Sequence, residues 1–326
     1  MPSRYSVALL ICSIAAGAAR AACSLPAASA SLGTVTSFAL NGASSATSAS
    51  MQVNCGAGSA VALMSDNAIS LQLTGATNVS ANRAVLTQDN GADAIPIRLC
   101  PTQDCANEMT VNGTPVQYSS GQLVNLIGLL GGLNFSIPLY IQTVPGQTVA
   151  AGTYSGTLNI LVNYAICTGI GVLGQCLPGN SQTGASIEPL TVTLVITNDC
   201  VTITAPNVNF GSAPLVSSFN PVAQSITVVC TKGSSYTVGV NNGANAVNNV
   251  RYMASGDARL SYEIYRGNGA DRWGDTGGDR WTSTQSSSLS SDGIQRTYRY
   301  VAKILSGQPT PPPGAYTDTL VVDLAF

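Results

Sequence analysis

An all-β fold of two immunoglobulin-like β-sandwich domains is predicted by three observations: apolar residues alternate at a period of two, segments with helical periodicity and caps are missing, and an internal repeat is anchored on paired cysteines. Alternation runs through Ile69, Leu71 and Leu73 and again through Leu320, Val322, Leu324 and Phe326. It marks strands with one buried face. Ser, Thr, Asn, Gly and Pro cluster between these runs and supply turns. Only 9% of the residues are charged, another departure from the composition of surface helices.

The repeat sets the domain boundaries. The stretch from Cys23 to Cys55 is echoed from Cys200 to Cys230, with a glycine turn (Gly33, Gly211), a polar linker and an alternating strand in each. The segment AGTYSGTLNILVNY (151–164) is echoed by PGAYTDTLVVDLAF (313–326), which shares Gly-x-Tyr-x-x-Thr-Leu. Two domains follow, 22–198 and 199–326. Residues 1–21 read as a secretion signal: Arg4 opens it, an apolar run spans Val7 to Ala19, and Ala19-Arg20-Ala21 fits a cleavage site. The mature chain is expected to begin at Ala22. No later segment approaches the roughly 20 apolar residues of a membrane helix. Arg20 argues against lipid attachment at Cys23, because that position of a lipidation signal is aliphatic.

Of nine cysteines, Cys12 lies in the leader. The remainder is even in number and suits an oxidising compartment. Spacing suggests Cys23/Cys55, Cys100/Cys105, Cys167/Cys176 and Cys200/Cys230 as pairs, although spacing alone leaves the connectivity open. Cys100/Cys105 and Cys167/Cys176 are expected to close tight loops of their own. With no histidine, zinc ligation lacks its usual partners, and no metal or cofactor is expected. A net charge of −2, with Lys232 and Lys303 the only lysines, offers no basic footprint for nucleic acid.

The two domains differ at their ends. After its Tyr-x-x-Thr-Leu strand the first continues through a Cys167/Cys176 hairpin into a further alternating segment, PLTVTLVIT (189–197), whereas the second stops at Phe326. The second sandwich is thus expected to lack its final strand and to need one from another chain.

Cys200 and Cys230 with Phe210-Gly211 between them, the stretch LSYEIYRGNGADRWGDTGGD (260–279), and Gly314-x-Tyr316-x-x-Thr319-Leu320 running to Phe326 together resemble the spore coat protein U type domains of archaic, Csu-type chaperone–usher pili. These motifs cover most of 199–326. Domain 22–198 matches at Cys23/Cys55 and at Gly152-x-Tyr154-x-x-Thr157-Leu158, and departs in its added bridges and final strands. The resemblance implies a subunit stored by a periplasmic pilus chaperone and assembled by an outer-membrane usher, its incomplete fold filled by a strand from a neighbouring pilin subunit. Leu320, Val322, Leu324 and Phe326 are then the expected subunit or chaperone contact. A donor strand in such pilins precedes the first domain cysteine. Here Ala22 alone is left before Cys23, so the chain is expected to accept a strand without donating one, as a two-domain tip adhesin exported through the periplasm to the pilus tip at the cell surface.

Within 22–198, two apolar stretches are the candidate surface-binding loops. One is GQLVNLIGLLGGLNF (121–135), carrying Leu123, Val124, Leu126, Ile127, Leu129 and Leu130; the aligned part of the second domain, TSTQSSSLSSDG (282–293), is rich in serine. The other, CTGIGVLGQC, carries Ile170, Val172 and Leu173 between Cys167 and Cys176. Exposed, such loops suit adhesion to hydrophobic, abiotic surfaces and biofilm founding, as the resemblance also implies. The competing reading places the leucines in a core strand or short helix and folds the second loop back on the domain. Asp271, Asp275 and Asp279 read as a solvated turn rather than a calcium loop because Arg272 and Arg280 interleave them. Trp273 and Trp281 read as structural within the resemblance. The Cys100/Cys105 pair is too widely spaced for a Cys-x-x-Cys redox site, and Asn78, Asn112 and Asn134 are glycosylation acceptors only in a eukaryotic host. Three rivals remain. An enzyme lacks imidazole chemistry and paired acids; a structural pilus or coat subunit without a binding site requires 123–130 to be buried; a sugar-binding tip lectin requires a concave polar or aromatic site.

Overall fold

The computed structural model describes residues 23–56, 67–123, 126, 132–168, 171–172, 175–177 and 180–326, so the expected leader lies outside them. Its strands bury alternate residues as the sequence pattern requires: in Asn134–Thr143 every second side chain, from Phe135 to Thr143, faces the interior. Buried side chains form two separate clusters. One draws on residues from Cys23 to Ile196, the other on residues from Ile226 to Ala302 with Leu320, Val322 and Leu324 packed against it.

Around the first core the strand order is Ala28–Thr36, Ser181–Thr197, Gly152–Cys167, Arg83–Gln88, Ala94–Cys100, Asn134–Thr143 and Ala46–Asn54; Ala68–Ala76 also pairs with Gly152–Cys167. The second core lies between a sheet ordered Cys200–Thr204, Val222–Cys230, Gln295–Ile304, Ala258–Arg266 and Arg251–Ser255 and a smaller one ordered Trp281–Thr282, Thr237–Val240 and Val322–Ala325.

All four cysteine pairs suggested by spacing are disulfides: Cys23–Cys55, Cys100–Cys105, Cys167–Cys176 and Cys200–Cys230. As expected, the shortest of them closes a tight loop of its own, at whose end sits Cys105. It is only 2% exposed, it turns the chain with a positive φ of +53°, and its carbonyl accepts from the Arg98 guanidinium at 2.8 Å. Cys100 is fully buried at the end of strand Ala94–Cys100. The bridge thereby staples the loop after strand Ala94–Cys100 back onto that strand, on the face that Arg98 shares and opposite Ile95, Ile97 and Leu99.

The repeat is visible in local geometry. Gly33 and Gly211 both take positive φ, +79° and +78°, and each is followed by a helical turn, Ser37–Gly42 in the first half and Val216–Ser218 in the second. Thr36 caps the first by accepting from the Ala39 N–H at 3.2 Å, a device the alternating pattern did not reveal. Each half also has a tyrosine corner: the Tyr154 hydroxyl donates to the Ala150 carbonyl (2.8 Å) and the Tyr316 hydroxyl to the Pro312 carbonyl (2.7 Å), four residues upstream in both cases. Burial, then the nearby Asp93 carboxylate, raises the Tyr154 phenol above its usual range and keeps it a donor.

Trp273 and Trp281 lie in the second core in edge-to-face contact, 5.0 Å between ring centroids, with Trp273 donating to the Val238 carbonyl and Trp281 to the Gln285 carbonyl. Beside them Arg251, fully buried, donates to Glu263 and to the carbonyls of Val240, Asn241 and Trp273. Asp279 pairs with Arg272 at 3.0 Å, and the Asp275 carbonyl accepts from Arg280, so the 271–280 turn is pinned by its own arginines.

Candidate functional site

Strand Gly152–Cys167 defines the long axis of the first half. Its start adjoins the second half, where Lys232 Nζ meets Asp93 Oδ1 at 2.5 Å, Ala150 bridges Lys232, and the Ser37 and Thr231 hydroxyls bond at 2.8 Å. Its 16 residues carry the chain about 50 Å to the far end. Three segments leave the sheets at that far end. Cys55 N–H bonds the Leu133 carbonyl and Leu133 N–H the Gly56 carbonyl; Cys167 N–H bonds the Asn67 side chain and the Ser120 hydroxyl the Asn67 carbonyl; Thr168 N–H bonds the Asn180 carbonyl. The stems of 57–66, 124–131 and 169–179 therefore gather at one pole, stapled by Cys23–Cys55 and Cys167–Cys176.

Placement of the expected loop residues is uneven. Leu123 is fully buried, at the end of the short helix Ser120–Leu123, which corrects its assignment to an exposed loop. Leu126 is half-buried and packs against the same core. The serine-rich counterpart in the second half was misleading because the first core extends further, to Tyr118, Leu133 and Ile166, and uses Leu123 to close its end. Val124, Ile127, Leu129, Leu130, Ile170 and Leu173 lie outside the described residues, and Val172 is placed only as part of the short strand Gly171–Val172. Segment 57–66 is AGSAVALMSD; its run Ala60-Val61-Ala62-Leu63-Met64, starting five residues after Cys55, is an apolar signal that neither the alternation nor the repeat picks out.

The second feature is an open groove of about 500 Å³ in the second half. One wall is 205–210 with Val208 and Phe210; the other is the final strand with Leu320 and Val322; Ile226, Ile264 and Trp273 reach it from the core. Among the described residues Val322–Ala325 is paired along one edge, with Thr237–Val240. Val321 directs its carbonyl to Asn241 on that paired side, so strand alternation turns the backbone groups of Leu320, Val322 and Leu324 toward the unpaired edge. Leu320 and Val322 line the groove, Leu324 packs against the second core, and Phe326, 71% exposed, tilts against Tyr236.

The first half fills the equivalent space itself. The segment from Leu190 to Ile196 runs antiparallel to Gly152–Cys167 and parallel to Ala28–Thr36, and it inserts Leu190, Val192, Leu194 and Ile196, each at most 2% exposed. What is a core strand in one half is a groove in the other.

The family described as Spore Coat Protein U domain matches residues 11–161 and 187–323. No curated protein sequence matches. Among solved structures, the chain is similar to the CsuC–CsuE chaperone–tip adhesion subunit pre-assembly complex from archaic chaperone–usher Csu pili of Acinetobacter baumannii, with 25% identity and a TM-score of 0.55 over 94% of this chain and 100% of the solved one. It also aligns with the CupB6 tip adhesin from Pseudomonas aeruginosa at 13% identity and a TM-score of 0.37, over 93% of this chain and 94% of that one. The two matched regions cover most of the sequence, and the chain belongs to the spore coat protein U domain family.

Proposed function

We propose that this chain is the tip adhesin subunit of a chaperone–usher pilus, with two domains, 22–198 and 199–326, that divide the work. The second is held in the fibre by an extended strand that a neighbouring pilin inserts into its groove, and the first presents its far pole outward. The observation that carries the reading is the contrast between the halves: Leu190 to Ile196 fill the first groove, while the second, lined by Leu320 and Val322, stands open beside a one-sided edge strand. An unpaired edge over an apolar groove is a strand-addition site. Before assembly the same groove is taken by a periplasmic chaperone, and an outer-membrane usher exchanges it for the pilin strand; the similarity to a chaperone–tip adhesion subunit complex supports that order. The reading is of a binding protein and not of an enzyme.

Attachment falls to 57–66, 124–131 and 169–179, the segments whose described stems meet at the far pole. Their aliphatic residues suit hydrophobic, abiotic surfaces and biofilm formation, since each side chain removed from water contributes about 1.5–3 kcal/mol. Replacing Ile127, Leu129, Leu130, Ile170, Val172 and Leu173 by Ser or Thr is expected to abolish attachment to plastic while pili still assemble. Unchanged attachment with assembled pili would sink the loop assignment. It would favour a structural subunit without a binding site, a second reading that gains some support from the burial of Leu123 and the packing of Leu126 on the core.

A further inference from the structure

We infer that Asp318 selects the strand that enters the second groove, requiring a hydroxyl or amide side chain opposite it between two large aliphatic residues. This inference rests on the strand-acceptor reading above and adds the chemistry of the partner.

The first half supplies the register. Through the shared Gly-x-Tyr-x-x-Thr-Leu motif, Tyr154, Gly156 and Leu158 correspond to Tyr316, Asp318 and Leu320. Their partners in the filled groove are Leu194, Val192 and Leu190. An incoming strand in the same position runs antiparallel to the final strand and along 205–210, and its central residue stands directly across from Asp318. Directly opposed residues bring their Cβ atoms within about 5 Å.

The two halves differ in chemistry at that centre. At Gly156 an added Cβ would lie 3.0 Å from the Val85 carbonyl and 3.1 Å from Leu86, so a side chain there would be crowded, and Val192 faces bare backbone. Asp318 instead lines the groove with a carboxylate. Its Oδ1 accepts from Ala244 N–H, Asn245 N–H and the Asn245 amide at 3.0–3.2 Å, while Oδ2 accepts from the Tyr262 hydroxyl alone, at 2.6 Å. Tyr262 stays a donor, since burial and then this bond push its phenol well above the usual range. Filling the groove strips water from Oδ2, which retains acceptor capacity that a valine leaves unmet. A Thr, Ser or Asn at that position donates to it. A lysine or arginine is disfavoured because Ile226, Ile264 and Ala302, which also line the groove, offer its charge no further partner.

The test uses the full chain and two nine-residue peptides built on residues 189–197, one keeping valine at the position of Val192 and one with threonine there. Binding is read from the fluorescence of Trp273, which lines the groove. The threonine peptide is expected to bind the wild type at least about tenfold more tightly. The preference is expected to reverse in Asp318→Gly, which restores the first-half chemistry, and to shrink in Asp318→Asn, which keeps the side-chain shape if the glycine variant loosens the 244–245 turn. Equal binding of both peptides to the wild type overturns the selection by Asp318 and leaves the strand-acceptor reading standing. Binding of neither overturns both.

Discussion

Supplying the second half with its own strand tests the groove directly. The perturbation is a fusion after Phe326 of a turn and a copy of residues 187–197, with threonine at the position of Val192, so that the copy pairs with the final strand as Ser181–Thr197 pairs with Gly152–Cys167 in the first half. A control fusion carries serine in place of Leu190 and Leu194. Both leucines are fully buried in the first half. Loss of a buried leucine costs about 2–5 kcal/mol each, so the two fusions are expected to differ by at least about 4 kcal/mol. For a unit of this size that corresponds to roughly 15 °C in melting temperature. The chain has only two tryptophans, Trp273 and Trp281, and both belong to the second core. Tryptophan emission therefore reports unfolding of that half alone, in heat or in urea. If the intact fusion, the serine fusion and the unfused chain all lose their emission at the same point, the groove does not accept a strand in the register of the first half.

Other expectations concern the ionic contacts. Glu263→Gln removes the carboxylate facing the fully buried Arg251, whose guanidinium burial already pulls below its usual range, and leaves that charge with carbonyl partners only. Breaking such a pair costs about 3–5 kcal/mol; a loss under about 1 kcal/mol in urea unfolding, followed by tryptophan emission, would show that the carbonyls suffice. In the first half Arg83, and after it Arg98, outweigh the cost of burial and hold the Glu108 carboxyl below the usual glutamate range. A depressed folded-state value means that the unfolded chain binds the proton more readily. The stabilisation is then complete above the ordinary value of about 4.3 and is lost as pH falls through the lower folded one. Thermal melts by circular dichroism are expected to show Glu108→Gln less stable than wild type near neutrality, with the gap closing in acid; a gap constant down to pH 2 would contradict this.

Composition, period-two alternation and the repeat determined the β-sandwich class and the alignment of Tyr154 with Tyr316, and suggested the cysteine pairs, because these depend on local chemistry and on spacing that any strand of the fold must respect. The missing-strand expectation came from the same source, the unequal halves of that repeat. Whether an aliphatic residue on a glycine-rich segment faces water or a core was not legible, and Leu123 shows why: its burial depends on how far the first core extends, which strands distant in sequence decide. The burial of Cys105 was hidden for a related reason, since its spacing from Cys100 suggests the bridge but not what covers it. Tertiary structure alone brought Cys55, Asn67, Ser120, Leu133 and Cys167 to one pole and so grouped three segments that the sequence scatters. It also set Asp318 across from the strand position that Val192 occupies in the first half, since facing partners in a sheet are fixed by register between strands and not by neighbours along the chain.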